Sequence, residues 1–316
     1  MGEFELIARY FNRNVPDDTL IGIGDDCALF TIPDGMQLAQ SMDTLVEGIH
    51  FPENIDPQLL GYRSLAVSIS DLAAMGAKPH SFTLGLTLPD SNEQWLRGFS
   101  DGLFSLADSL SIPLIGGDTT RGPLTITIQV QGTVPQDTAL RRNGAKAGDQ
   151  IYVSGYLGDA AGALPYVLSR EEQKAENNAH IQALLQRYYK PTPRLALGRW
   201  LRENGATAAL DISDGLLGDL NHILSASHKG AELNLQTIPC SPNLTALYTT
   251  TQAKDLALQG GDDYELCFTW PKENNLILPS FLSDSIFVTM IGSITEQKGI
   301  RDTQQHSLDA CAYTHF

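Results

Sequence analysis

The stretch L-I-G-G-D-T-T-R-G, Leu114 to Gly122, decides how the rest of the chain is read. A short apolar run stops at paired glycines and then a carboxylate, which predicts a strand over Ile112–Gly117 that presents Asp118 at a strand or loop edge. Gly116 and Gly117 allow a ligand to approach the main chain closely, and Thr119 and Thr120 add hydroxyl oxygens. The pattern recurs as G-D-D at Gly24 to Asp26, M-D-T at Met42 to Thr44, S-D-L at Ser70 to Leu72, D-I-S-D-G at Asp211 to Gly215 and G-G-D-D-Y-E at Gly260 to Glu265. Acids repeatedly stand where apolar segments stop, a placement that suits a metal ion and a phosphate.

Upstream, Phe4, Ile7, Tyr10 and Phe11 share one helical face, which predicts a short amphipathic helix over Phe4–Phe11. After the turn residues Pro16, Asp17 and Asp18 comes a strand interrupted by glycines and then by Asp25 and Asp26. Leu38–Val46 reads as a strand in which Ser41 and Asp43 lie on the same face, so a hydroxyl and a carboxylate can share one ion. His50, in H-F-P, reads by itself as a packed or surface residue. From Pro57 to Lys78 the pattern is helical, with Gly76 and Pro79 as stop signals. Ser64, Ser68 and Asp71 fall on one face of that helix, where a solvated stripe is the plain reading. Small and apolar neighbours on nearly every side instead predict a partly buried Asp71, and a buried carboxylate needs a cation or donors. Ser81–Leu88 reads as a strand, Trp95–Leu110 as a helix, and Leu124–Val134 as a half-exposed strand able to pair across a subunit boundary.

Between Pro135 and Asp149 the composition turns polar, basic and glycine-containing, which places a domain boundary there and divides the chain into residues 1–145 and 146–316. The second part holds a strand at Q-I-Y-V-S-G, a helix opening at Gly158 and Asp159, and a polar surface excursion from Glu171 to Asn178. A helix led by P-T-P-R follows, then D-I-S-D-G before an apolar helix, and G-G-D-D-Y-E-L-C-F entering a strand. The succession indicates a mixed α/β (α+β) architecture.

The 316 residues carry a formal net charge of −16, which repels nucleic acid and anionic lipid, and divalent cations are what would reconcile such a chain with phosphates. Hydrophobic content of 42% is ordinary for a globular chain, and no apolar run reaches the length of a membrane span. The acidic N-terminus lacks the features of a secretory signal, and Cys27, Cys240, Cys267 and Cys311 lack paired ligand spacing. A cytoplasmic location with reduced thiols is expected, with zinc disfavoured. No G-x-x-x-x-G-K-[ST] loop, H-R-D or D-F-G occurs, and G-F-S-D-G at Gly98 to Gly102 falls inside the helical Trp95–Leu110 segment and not at the strand-to-helix turn a nucleophile elbow needs, so metal-assisted phosphoryl transfer best matches many oxygen ligands and few basic residues.

In order, G-I-G-D-D, D-T-L-V-E-G-x-H-F, S-D-L-A-A-M-G-A, G-G-D-T-T-R-G, D-I-S-D-G-L and G-G-D-D-Y-E-L-C-F resemble the thiamine-monophosphate kinase family of the aminoimidazole-ribonucleotide synthetase-like superfamily. The resemblance spans nearly the whole chain. It implies a two-domain fold, an N-terminal mixed-sheet domain that dimerises and binds ATP and Mg²⁺, followed by a C-terminal α/β domain that completes the nucleotide and substrate site. The implied reaction is ATP-dependent phosphorylation of thiamine monophosphate to thiamine diphosphate, with several Mg²⁺ ions, in a cytoplasmic homodimer. By position, Asp26, Ser41, Asp43, Asp71, Asp118, Asp211 and Asp214 correspond to metal-binding residues, and Met42 through its main chain only. Gly117, Asp118, Arg142 and Ser213 correspond to ATP contacts, and His50, Asp262 and Tyr313 to substrate contacts. Met42 replaces a Thr frequent in relatives, and Asp262 replaces a Glu, which shortens the reach by one methylene and bears on substrate affinity. No general base is nominated, because a phosphate acceptor is largely ionised near neutral pH. The rivals are another ATP-using synthetase of the superfamily and a non-catalytic acidic metal-binding protein. The D-T-L-V-E-G-x-H-F and D-Y-E-L-C-F motifs favour the kinase over the first, and Arg142 with the glycine pairs and hydroxyls favours it over the second.

Overall fold

The structure, a computed structural model, describes residues 2–13, 19–23, 26–169 and 177–309. The Pro16–Asp18 turn, Gly24, Asp25, the polar excursion at 171–176 and Tyr313 lie outside the described residues. Two compact units divide the chain, Met1–Leu72 with Ala77–Thr138 and Ala73–Gly76 with Ala139–Phe316.

The first unit opens with α1 (Glu3–Leu6), which widens into a π-helical turn at Ile7–Phe11, where Asn12 N–H donates to Ile7 O at 2.9 Å. A single α-helix is the expectation from spacing; the wider turn instead lets the adjacent Tyr10 and Phe11 both point inward, at 8% and 3% exposure. β1 (Thr19–Ile21) and β2 (Leu29–Phe30) form a small antiparallel pair. The main sheet has the order β3-β6-β4-β5, built from β3 (Met36–Val46), β6 (Thr125–Pro135), β4 (Lys78–Leu88) and β5 (Leu114–Arg121). Only β4 and β5 run parallel, and α3 (Glu93–Leu110) supplies the crossover that parallel neighbours require. α3 starts at Glu93 because Asn92 Oδ1 accepts from the amides of Gln94 and Trp95, each at 3.0 Å. α2 (Pro57–Ala74) lies against α3 with glycines at the crossing: a Cβ on Gly102 would stand 1.8 Å from Gln58 O. Leu60, Leu65, Ile69, Leu96, Phe99 and Leu103 meet Phe82, Leu86, Ile126 and Ile128 in a core of fully buried side chains, each worth about 1.5–3 kcal/mol of transfer free energy.

Two expectations change here. β5 runs on to Arg121, so Asp118 stands within a strand at the sheet's edge, opposite Gly85, and not beyond the strand's end. β6 is paired on both sides, with β3 and β4, so it offers no edge to a second subunit. Its polar residues are also met by neighbouring strands: Ser81 Oγ donates to Gln131 Oε1 at 2.9 Å, and Thr44 and Thr127 share a hydroxyl contact at 2.9 Å.

The second unit holds a seven-stranded sheet of order β13-β12-β9-β11-β7-β10-β8. Its strands are β7 (Gln150–Ser154), β8 (Ala208–Asp211), β9 (Gly230–Leu233), β10 (Leu266–Trp270), β11 (Val288–Thr295), β12 (Gly299–Asp302) and β13 (Ser307–Leu308). Only β12 and β9 pair in parallel. α4 (Asp159–Ser169), α5 (Ala179–Tyr189), α8 (Pro242–Leu247) and α9 (Thr250–Gln259) share one apolar cluster around Leu184 and Leu244. α6 is Leu195–Asn204, and α7 (Leu216–Ser227) packs Leu216, Leu220 and Ile223 into the sheet's own core beside Ile151, Val153 and Leu210.

Candidate active site

In the first unit, β3 and α2 bring two acids together. Ser41 Oγ donates to Asp71 Oδ2, which ties the strand to the helix. Asp43, two residues further along the same face, is pushed up to about 6, first by burial and then by the negative charge of Asp71, with a hydrogen bond from Ser68 opposing both. Ser64 and Ser68 are fully buried, so the polar face of α2 turns inward and is not a solvated stripe. A hydroxyl and two carboxylates held this way are hard oxygen donors whose net charge calls for a cation. Among the described residues no group of three or more His, Cys, Asp or Glu forms a metal cage. A carboxylate pair with a hydroxyl still fits Mg²⁺, an ion that keeps several waters and takes the rest of its oxygens from phosphates.

A cavity of about 550 Å³ opens beside β5 in the same unit, lined by Asp26, Cys27, Gly116, Gly117, Asp118 and Thr119 together with Phe11 and Leu84. Asp26 therefore lines the same cavity as Gly116, Gly117, Asp118 and Thr119 of the G-G-D-T-T motif. Gly117 is required by the sheet, because a Cβ there would stand 2.0 Å from Leu84 O. Met42, on β3 between Ser41 and Asp43, is 63% exposed. His50 closes the turn after β3: its Nδ1 accepts from Val46 N–H at 3.0 Å, which places the imidazole proton of the neutral ring on Nε2.

In the second unit the two acid motifs form one piece. Ile212 N–H donates to Glu265 O, Tyr264 N–H to Ile212 O and Asp262 N–H to Ser213 O, all at 2.8 Å, so the pairing of β8 with β10 continues into both loops. Asp211 ends β8, and Ser213 and Asp214 follow it. Asp262 (φ 68) and Tyr264 (φ 50) adopt left-handed backbone angles, and Tyr264 OH donates to Asp262 Oδ1 at 3.0 Å.

Beneath this loop lies a buried ionic cluster. Arg194 meets Glu265 through Nε at 2.6 Å and Nη2 at 2.5 Å, and Arg187 adds Nη2 at 2.8 Å. Ser154 Oγ donates to the same carboxylate at 2.6 Å. Both oxygens of Asp263 accept from Gly158 N–H, at 3.0 and 2.9 Å, and burial holds that carboxyl well above the usual range despite Gly158 and Arg187. Asp219 Oδ2 accepts from Ser213, Asp214 and Gly215 N–H, and is pushed up to about 6 mainly by burial.

Arg142 lies at the far end of α7 from Ser213, next to Arg141, whose carbonyl accepts from Ala209 N–H of β8 at 3.1 Å. The Arg142 carbonyl accepts from Ser227 Oγ at 2.9 Å, at the last residue of α7, whereas Ser213 precedes the first. At 1.5 Å per residue, α7 separates those two anchor points by roughly 17 Å of main chain. The Arg142 side chain itself is exposed.

The chain matches the AIR synthase related protein, N-terminal domain, over residues 24–134 and the C-terminal domain of the same family over residues 146–303. Thiamine-monophosphate kinase of Salmonella typhimurium is 47% identical over 322 residues, covering 100% of this chain and 98% of that protein. The chain belongs to the thiamine-monophosphate kinase family. A crystal structure of thiamine-monophosphate kinase from Stenotrophomonas maltophilia K279a superposes with a TM-score of 0.85 at 43% identity, covering 96% of each chain. AaThiL complexed with AMPPCP and TMP superposes at 0.80 with 29% identity, covering 90% of this chain and 89% of that one. The thiamine-monophosphate kinase motifs lie on the β3–α2 pair, the β5 cavity and the twin loops of the second unit. Sequence reasoning assigned no role to Asp219, Arg187, Arg194, Asp263 or Glu265. The available signal was the presence of Asp263 and Glu265 inside G-G-D-D-Y-E, of Asp219 three residues past D-I-S-D-G-L, and of Arg194 at the end of P-T-P-R.

Proposed function

We propose that this chain transfers the terminal phosphoryl group of ATP to the phosphate of thiamine monophosphate, forming thiamine diphosphate and ADP. The observation that carries the reading is the paired Asp43 and Asp71 with Ser41, a cation-seeking site on rigid elements in a member of this family. AaThiL, with its bound AMPPCP and TMP, supports the same substrates here. In the transfer, the bond from the γ-phosphorus to the β,γ-bridging oxygen breaks while an acceptor phosphate oxygen bonds to that phosphorus. The acceptor is mostly dianionic at neutral pH, so no side chain needs to remove a proton. What remains is alignment and neutralisation of charge.

In this reading Asp26, Ser41, Asp43, Asp71, Asp118, Asp211 and Asp214, with the Met42 main chain, hold several Mg²⁺ ions. Bound Mg²⁺ would offset the charges of the two polyanions and hold them in line. Gly117, Asp118, Arg142 and Ser213 contact ATP, and the Arg142 guanidinium offers a fork of donors to phosphate oxygens. His50, Asp262 and Tyr313 contact thiamine monophosphate; the neutral His50 ring donates from Nε2, and Tyr264 orients the Asp262 carboxylate. Residues 1–145 bind ATP and cations and form the dimer contact, and residues 146–316 contribute nucleotide and substrate contacts. Exposed Leu38 and Met42 on the outer strand β3 support a homodimer through that sheet. A cytoplasmic enzyme accords with this reading, and no described helix is long and apolar enough to cross a membrane.

The test is incubation with ATP, Mg²⁺ and thiamine monophosphate, with products separated by chromatography. Thiamine diphosphate and ADP in equal amounts are expected. ADP without thiamine diphosphate, or neither product, would reject the assignment.

A further inference from the structure

Asp219 sits in the first turn of α7 with 4% of its surface exposed, and one of its oxygens accepts three consecutive main-chain N–H groups. The distances are 3.0 Å from Ser213, 3.0 Å from Asp214 and 3.2 Å from Gly215. Consecutive amides in the turn that leads into a helix form, when left alone, an anion-binding nest. Here that nest is filled by a carboxylate of the same helix. We propose that Asp219 is a positioning residue: it occupies the amide nest of the Asp211–Gly215 loop, so that the loop meets its ligand through the Ser213 and Asp214 side chains and not through its amides.

The geometry extends the effect. With its amides tied inward, the loop offers its outward carbonyls at set positions, and Ser213 O takes the Asp262 amide at 2.8 Å. Ile212 is bonded to both Glu265 and Tyr264, again at 2.8 Å. A carboxylate turned onto the main chain therefore sets the shape of both acid loops. A phosphate approaching the loop finds the amides of Ser213, Asp214 and Gly215 already taken and must be met there by side chains or by cations. The ligand that this loop meets through Ser213 and Asp214, and with it the ligand assay, rests on the function proposed above, whereas the filled amide nest does not.

The test uses the full chain with Asp219→Asn, which keeps one acceptor oxygen, and Asp219→Ala, which keeps none. Three quantities are read below the melting temperature of each variant: amide exchange at residues 213–215, binding of a non-hydrolysable ATP analogue with Mg²⁺, and turnover of thiamine monophosphate. In Asp219→Ala, exchange at those amides should quicken and kcat fall by about tenfold or more, as expected for losing bonds to a charged acceptor. Nucleotide binding should weaken by about fivefold or more, with Asp219→Asn intermediate in all three. Formate, a carboxylate small enough to refill the nest, should restore part of the lost turnover in Asp219→Ala and leave the wild type unchanged. Variants that melt earlier yet match the wild type within about twofold in exchange, binding and turnover would overturn the proposal and leave Asp219 a fold-stabilising residue only. If Asp219→Ala does not fold, Asp219→Asn decides by the same criteria. A wild-type chain that bound nucleotide but made no thiamine diphosphate would sink the proposed function alone. In a chain that bound neither ligand, unchanged exchange at 213–215 in Asp219→Asn would still overturn the inference, and faster exchange would uphold it.

Discussion

Replacing Asp43 by Asn should make the protein more stable and less active at once. In the folded chain Asp43 is pushed from the ordinary 3.8 up to about 6 by burial and by Asp71. The folded-state value lies above the unfolded one, so the cost of ionising Asp43 is small below about pH 4, grows as pH rises toward 6 and is complete above about pH 7. At full ionisation that cost has an upper bound of about 3 kcal/mol, and partial contact with water brings it to about 1–3 kcal/mol. Asn keeps an acceptor for Ser68 and carries no charge. In EDTA at pH 7.5, urea unfolding followed by circular dichroism should show Asp43→Asn more stable by about 1–3 kcal/mol, and at pH 4.5 by about 1 kcal/mol or less. Adding Mg²⁺ should narrow the gap at pH 7.5, because a cation beside Asp43 removes the same penalty in the wild type. Turnover should fall by about two orders of magnitude. A variant that is less stable at pH 7.5, or whose gain is the same at both pH values, would refute the electrostatic reasoning, and unchanged turnover at saturating Mg²⁺ would refute the role.

Arg194→Met leaves the Glu265 carboxylate, whose side chain is 1% exposed, with Arg187 as its remaining guanidinium partner; thermal or urea unfolding should show a loss of about 3–5 kcal/mol. Gly117→Ala pushes a methyl group into Leu84 O at the β4–β5 pairing; a stability loss of about 1–3 kcal/mol with a raised KM for ATP is expected, and an unchanged melting temperature would count against the close approach. Tyr264→Phe removes the hydroxyl that holds Asp262; KM for thiamine monophosphate should rise about threefold to tenfold while stability stays within about 1 kcal/mol.

Much of this was legible because the chain marks its acids with glycines and hydroxyls. The strand period put Ser41 and Asp43 on one face and the helical spacing put Ser64, Ser68 and Asp71 on another, but only the structure joins β3 to α2 through Ser41 and Asp71. Asp118 was harder to place. The length of β5 depends on pairing with β4, which paired glycines in the sequence conceal by resembling a loop. The polar alternation of Thr125–Pro135 suggested a half-exposed strand, and Thr125, Thr127 and Gln129 are half-exposed; what it did not reveal is that Gln131, Gln129 and Thr127 also bond across the strands to Ser81, Thr83 and Thr44. The buried ions of the second unit were not legible because Glu265 meets Arg194 and Arg187 from positions more than 70 residues away. Asp219 was hidden differently. An acid in the first turn of a helix is common enough to read as a simple dipole effect, and only coordinates show that its oxygen turns back onto three amides.

The left-handed conformation at residue 262 also limits which side chains that position tolerates. Asp, Asn and Gly accept such torsions far more readily than β-branched or bulky residues do. A short acid there satisfies the main chain first and leaves a gap of one carbon toward whatever it must touch. The drift open to this site is thus set by torsional ease as much as by chemistry, and a lengthened acid would have to repay its extra reach with a strained peptide.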